Sequence, residues 1–128
     1  MKKLCILCLL LLVLLGACSV RETDWGSFTP DKTESFDQKY YALQKTEQSS
    51  DGERVVVTIY DKSSATAVFS FAPARAWDFW GICWEKDTYN IWIQSGDIGV
   101  LCYRYTNGQW TLDESAVRPD YIKSKYDK

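Results

Sequence analysis

Period two governs the second half of the chain. From Val55 onward, apolar and polar residues alternate in short runs separated by turn formers, which is the pattern of half-buried strands rather than of helices. Residues 55–60 and 65–71 flank an Asp61-Lys62-Ser63-Ser64 turn and form a first hairpin. Ala72-Pro73-Ala74-Arg75 breaks the alternation, because proline has no amide hydrogen for a ladder and restricts its predecessor, so a longer connection is expected there. Residues 77–85, 89–95, 100–105 and 109–112 then alternate with Lys86-Asp87, Ser95-Gly96-Asp97-Ile98-Gly99 and Asn107-Gly108. Asn-Gly is a strong hairpin signal, since both central positions of a type I′ turn need positive φ. These elements predict a mainly β fold, an antiparallel meander of about six strands forming a small sandwich or open barrel.

Upstream the pattern weakens. Residues 38–48 carry no decisive period, and a short helix and an extended lead-in fit them equally. Residues 19–39 are polar with scattered Trp25, Phe28 and Phe36. They read as a flexible tether over residues 18–39, whose root-mean-square reach is on the order of 25 Å. A single β-rich domain over residues 40–128 follows, with residues 120–128 expected as a turn or short helix lying on the sheet.

Strand pairing sorts the side chains. A two-residue turn at Lys86-Asp87 places Trp84 opposite Tyr89, Ile82 opposite Ile91 and Trp80 opposite Ile93, all on the face expected to wall the core. Phe79, Gly81, Cys83, Asn90, Trp92 and Gln94 share the other face, which is too apolar for solvent alone and predicts a second sheet or covering segment over part of it. Cys83 and Cys102 fall on the two strands flanking residues 89–95. At 4.7–4.9 Å per strand they lie about 9–10 Å apart, beyond the roughly 7 Å that a disulfide spans. Two buried thiols are expected.

The amino terminus follows a different logic. Met1-Lys2-Lys3 precedes an unbroken apolar run over residues 4–15, the plan of a secretory leader. Such a run rises only about 18 Å as a helix, against a hydrocarbon core of roughly 30 Å. Leu15-Gly16-Ala17-Cys18 resembles the lipobox of bacterial lipoproteins. That resemblance covers the first twenty or so residues, and no family is recognised in the rest. It implies cleavage after residue 17, a diacylglycerol on the Cys18 thiol, further acylation of the new amino terminus, and residence on the cell membrane or outer membrane, outside the cytoplasm. Cys5-Ile6-Leu7-Cys8 lies inside the leader and is no redox motif.

Composition narrows the function. Losing Lys2 and Lys3 lowers the basic count from 15 to 13 against 17 acidic residues, a net charge of −4, which excludes a nucleic-acid footprint. No histidine is present, so triads built on it are impossible, and two cysteines make no usual zinc set. No cofactor or metal is implied. Asp78, Glu85, Asp97, Asp113 and Glu114 remain for carboxylate chemistry, but a single small sheet offers little cleft for a glycosidase pair. Ser95-Gly96-Asp97-Ile98-Gly99 reads as a hairpin turn rather than a nucleophile and acid. The 6 Trp, 8 Tyr and 5 Phe supply core area or a platform for sugar rings. Phe79, Trp92 and Arg75 are the candidate binding residues. The expectation is therefore a membrane-anchored, non-catalytic domain that binds an envelope protein or glycan, with an assembly subunit and a small carboxylate hydrolase as alternatives.

Overall fold

A computed structural model of the chain describes residues 25–76 and 80–128. The leader, Cys18 and residues 77–79, including Phe79 and Asp78, lie outside the described residues.

Among the described residues eight strands form two antiparallel four-stranded sheets. The first sheet runs in the order β1 (Thr33–Glu34), β2 (Tyr40–Ser49), β3 (Gly52–Asp61), β4 (Thr66–Arg75). The second runs β5 (Trp80–Trp84), β6 (Ile91–Ser95), β7 (Gly99–Thr106), β8 (Gln109–Asp113). Each is a meander, as the turn chemistry predicts. Asp61 closes the β3–β4 turn by accepting hydrogen bonds from the Ser63 and Ser64 amides at 2.9 and 3.1 Å. Asn107 and Gly108 take φ of 52° and 82°, both positive as type I′ geometry requires.

The core lies between the sheets. Val55, Val57 and Ile59 on β3 alternate inward with Ala42 on β2, and meet Ile82, Trp84, Ile91, Ile93 and Trp110 of the second sheet. Fully burying a Val or Ile side chain is worth about 1.5–3 kcal/mol, so this interior is the main source of stability. The expected core face of β5 and β6 is the observed one, but its register differs. Trp84 pairs with Ile91, Ile82 with Ile93 and Trp80 with Ser95, two residues from the expected partners. The connection is longer than Lys86-Asp87, because the Glu85 carboxylate gathers Thr88 and Asn90 into the turn at 2.6 and 2.8 Å. A two-residue slip preserves parity, which is why the face assignment survives it.

Two other expectations need correction. β4 runs through Pro73 to Arg75 without the expected break. The register shifts between Val55 and Val57 on β3, leaving an extra residue on β4 beside Pro73, and β4 is an edge strand. Bulged edges are where a strand tolerates proline. The part of the expected tether within the described residues, 25–39, is docked rather than loose. Thr29 exchanges two backbone hydrogen bonds with Ile82 on β5, both at 2.9 Å, and four residues later the chain forms β1 on the other sheet. Trp84 Nε1 donates to the Thr33 carbonyl across this seam at 3.2 Å. Residues 25–39 thus sew the sheets together along one side.

The outer face of the second sheet is covered. Cys83, Trp92 and Cys102 pack with Ile122 from the carboxy-terminal segment, flanked by Phe28 and Ala116. Gln94 Oε1 accepts from the Ser124 hydroxyl at 3.0 Å and the Lys125 amide at 3.2 Å, fixing that segment in place. A covering segment was expected here, and two of them meet.

Candidate functional site

The first sheet has the opposite outer surface. Because β2 and β3 pair from Tyr40↔Asp61 to Ser49↔Gly52, the outward set is Tyr41, Leu43, Lys45 and Glu47 facing Tyr60, Thr58, Val56 and Arg54. β4 adds Ser70 opposite Thr58, with the hydroxyls 3.1 Å apart, and Ala67 opposite Tyr60. Leu43 is 39% exposed, while Tyr41, Val56 and Tyr60 are half-buried only by one another and their neighbours. Among the described residues no segment crosses this face as Phe28 and Ile122 cross the other.

Its chemistry is flat and mixed. Tyr41 and Tyr60 stack with ring centroids 5.0 Å apart and planes at 8°. The Lys32 ammonium sits 4.4 Å from the Tyr41 centroid. Tyr41 is therefore engaged by both a ring and a cation, an arrangement that stiffens both side chains against the sheet. Lys45 and Glu47 pair at 2.7 Å along the strand, where solvent screening makes the pair worth little.

The residues singled out from the sequence are distributed otherwise. Trp92, one of the three candidate binding residues, is 3% exposed, with Cys83 on one side in the sheet and Cys102 on the other. Its indole N–H donates to Glu85 at 3.1 Å, so it belongs to the covered face and offers no surface to a ligand. Both cysteines are thiols, as the strand spacing implies, and burial pushes the Cys102 thiol up to about 12. Arg75 is exposed at the end of β4. Its amide donates to Asp97 Oδ2 at 3.0 Å, so the structure does bring these two sequence candidates together. The contact straps the β6–β7 turn to the edge of the first sheet. The Arg75 guanidinium reaches Asp51 at 3.5 Å, where Arg54 also lies at 3.2 Å.

Carboxylates elsewhere are committed to their own turns. Glu85 accepts from Thr88, Asn90 and Trp92 and anchors the β5–β6 connection. Asp113 lies in a shallow depression of about 580 Å³ lined by Arg104, Thr111, Leu112, Glu114 and Ser115. The Ser115 hydroxyl, and after it Arg104, hold Asp113 below the usual carboxylate range. At the end of the sandwich, burial opposes ionisation of Asp37, but hydrogen bonds from Tyr89, Lys39 and Ser35 outweigh it and keep that group low as well. Among the described residues no cluster of three or more metal-ligating side chains occurs, and no helix is long and apolar enough to cross a membrane.

A second group of rings is packed rather than open. Tyr40, Tyr89, Tyr105 and Trp110 meet edge to face or tilted at centroid distances of 4.6–5.2 Å. Trp110 Nε1 donates to the Tyr89 carbonyl at 2.7 Å, and the Tyr89 hydroxyl donates to Asp37 at 2.6 Å. Each ring is covered by another.

Sequence reasoning passed over Tyr41, Leu43, Val56 and Tyr60. The usable signal was the parity of β3: Val55, Val57 and Ile59 fill one face, so Val56, Thr58 and Tyr60 must stand on the other, and two of those three are large and apolar in body. Comparison with protein-family models, with curated proteins and with solved structures finds no match to this chain.

Proposed function

We propose that this protein is a lipid-anchored, non-catalytic envelope domain that binds a protein partner on the outer face of its first sheet. The anchor is acylated Cys18 in the cell membrane or outer membrane. The observation that carries the reading is the unequal cover of the two sheets: both terminal segments close over Trp92, while Leu43, Val56 and the Tyr41–Tyr60 pair stay uncovered by any described segment. An apolar centre flanked at one end by Lys45, Glu47 and Arg54 and at the other by Lys32 is the anatomy of a protein-binding patch.

Three details favour a protein over the alternatives. Tyr41 and Tyr60 turn their faces toward each other, and the Lys32 ammonium also sits over the Tyr41 ring, so that ring is already engaged rather than offered to a sugar. Assembly through the β4 edge is obstructed where Pro73 lacks an amide and Asp97 occupies the Arg75 amide. Of the carboxylates considered for hydrolysis, Asp113 is held below the usual range by Ser115 and Arg104, the opposite of what a general acid needs.

A photo-crosslinking residue at position 43, introduced into the full chain in intact cells, tests the binding face. A single polypeptide adduct of fixed stoichiometry is expected, absent from position 112 and abolished by Val56→Asp. No adduct from position 43, or equal adducts from both positions, overturns the reading. Intact mass of the native product tests the anchor, and retention of residues 1–17 without lipid removes it.

A further inference from the structure

The fold shortens the link between Cys18 and the domain. Trp25 already packs against the core, so seven residue steps separate it from Cys18. Seven steps span at most about 25 Å even when fully extended. A domain of about 100 residues has a radius of gyration near 13 Å. A link no longer than about the domain's own diameter keeps the surface around its attachment point nearer the headgroups than the opposite side. With Cys18 acylated, the surface around Trp25 is therefore the one nearest the membrane.

That surface is the carboxy-terminal segment. The Lys123 amide donates to the Gly26 carbonyl at 3.1 Å. Gly26 has φ of +97°, and a Cβ there would lie 2.2 Å from the Tyr121 carbonyl oxygen, so the two backbones touch where only glycine fits. Residues 117–128 hold four basic and two acidic side chains in a chain whose net charge is −2. One of the two acids, Asp127, is paired with Arg118. Val117 is 88% exposed, Tyr121 39% and Tyr126 41%, and Lys123, Lys125 and Lys128 are exposed beside them. Tyrosines with an apolar flank and lysines together match the headgroup zone of an anionic bilayer.

We infer that residues 117–128 form the surface by which the domain lies on the anionic phospholipid headgroups of the membrane that holds Cys18. The inference rests on the lipid anchor proposed above. The lysines need not recruit the protein, because tethering already supplies a high local concentration of lipid, and weak contacts then suffice to fix orientation. Docked this way, the covered sheet faces the membrane and the Leu43 face points away from it, toward a partner.

Lipid-bearing full-length protein, confirmed by intact mass, is placed in vesicles of phosphatidylethanolamine and phosphatidylglycerol and in vesicles of phosphatidylcholine. Amine acetylation is followed residue by residue. Lys123, Lys125 and Lys128 are expected to react about fivefold more slowly on the anionic vesicles, with Lys45 and Lys62 unchanged. Replacing the three lysines with glutamate changes exposed side chains and keeps the backbone bonds at positions 123 and 125, and hydroxyl-radical oxidation of Tyr126 on anionic vesicles is then expected to rise to its rate on phosphatidylcholine. Equal protection at all five lysines, or protection of Lys45 and Lys62 instead, overturns the orientation while leaving the anchor intact. A lipid-free mass removes the anchor, and the inference with it.

Discussion

The two outer faces of the sandwich are built from the same alternation yet end differently. On the second sheet, Cys83, Trp92 and Cys102 point outward and are buried because Phe28 and Ile122 cross over them. On the first, Leu43, Val56, Tyr41 and Tyr60 also point outward, and solvent reaches them. Outward position in a strand says nothing about exposure until long-range cover is known. The covered face stabilises the domain, and the uncovered one is the face we propose for a partner.

The strongest way to break this contrast is to cut into the covered side. Trp92→Ala removes a buried indole and should cost about 3–5 kcal/mol of unfolding free energy in urea titration. Leu43→Ala on the other face should cost about 0.5 kcal/mol or less. Comparable losses at the two positions would mean that the first sheet is covered as well.

Loosening the cover without touching the sheet is the next test. Ile122→Ala should cost about 2–4 kcal/mol, and it should speed alkylation of Cys83 and Cys102, which lie beneath that segment. Unchanged thiol reactivity would show that the segment does not shield them. Gly26→Ala drives a methyl into the Tyr121 carbonyl and should cost about 1–3 kcal/mol, releasing the same segment from the other end.

Smallest is an electrostatic effect at the end shared by both sheets. The Asp37 carboxylate, accepting the Tyr89 hydroxyl, pushes that phenol from 10.0 up to about 12. The folded state thus holds the proton more tightly than the unfolded chain does. Its contribution is complete below pH 10 and is lost as pH rises toward 12. Tyr89→Phe should flatten the fall in urea midpoint across that window, and a slope equal to that of the unmodified protein would remove the Asp37 contact from the account.

Much of the fold was legible in the residues. Asn107-Gly108 and Asp61-Lys62-Ser63-Ser64 named their turns because local backbone chemistry leaves few other solutions. Cys83 and Cys102 could be kept apart because two strand spacings exceed a disulfide's reach, and that argument survives any slip of even length. Residues 40–49 were not legible as a strand, since Lys45 to Ser49 are polar on both sides and extend past the core. The candidate surface was missed for a related reason: Trp92 is larger than Leu43 or Val56 and drew attention from sequence, while the segments that bury it lie 64 and 30 residues away at Phe28 and Ile122.

The sequence by itself determined the β class, the turns at 61–64 and 107–108, the parity of the strands from Val55 onward and the separation of the two thiols, because these depend on local backbone chemistry and strand spacing. Only the tertiary structure decided the docking of residues 25–39 and which outer face is covered. Those outcomes depend on contacts between the two ends of the chain, and no local pattern of apolar and polar residues encodes which distant segment will come to lie on a given face.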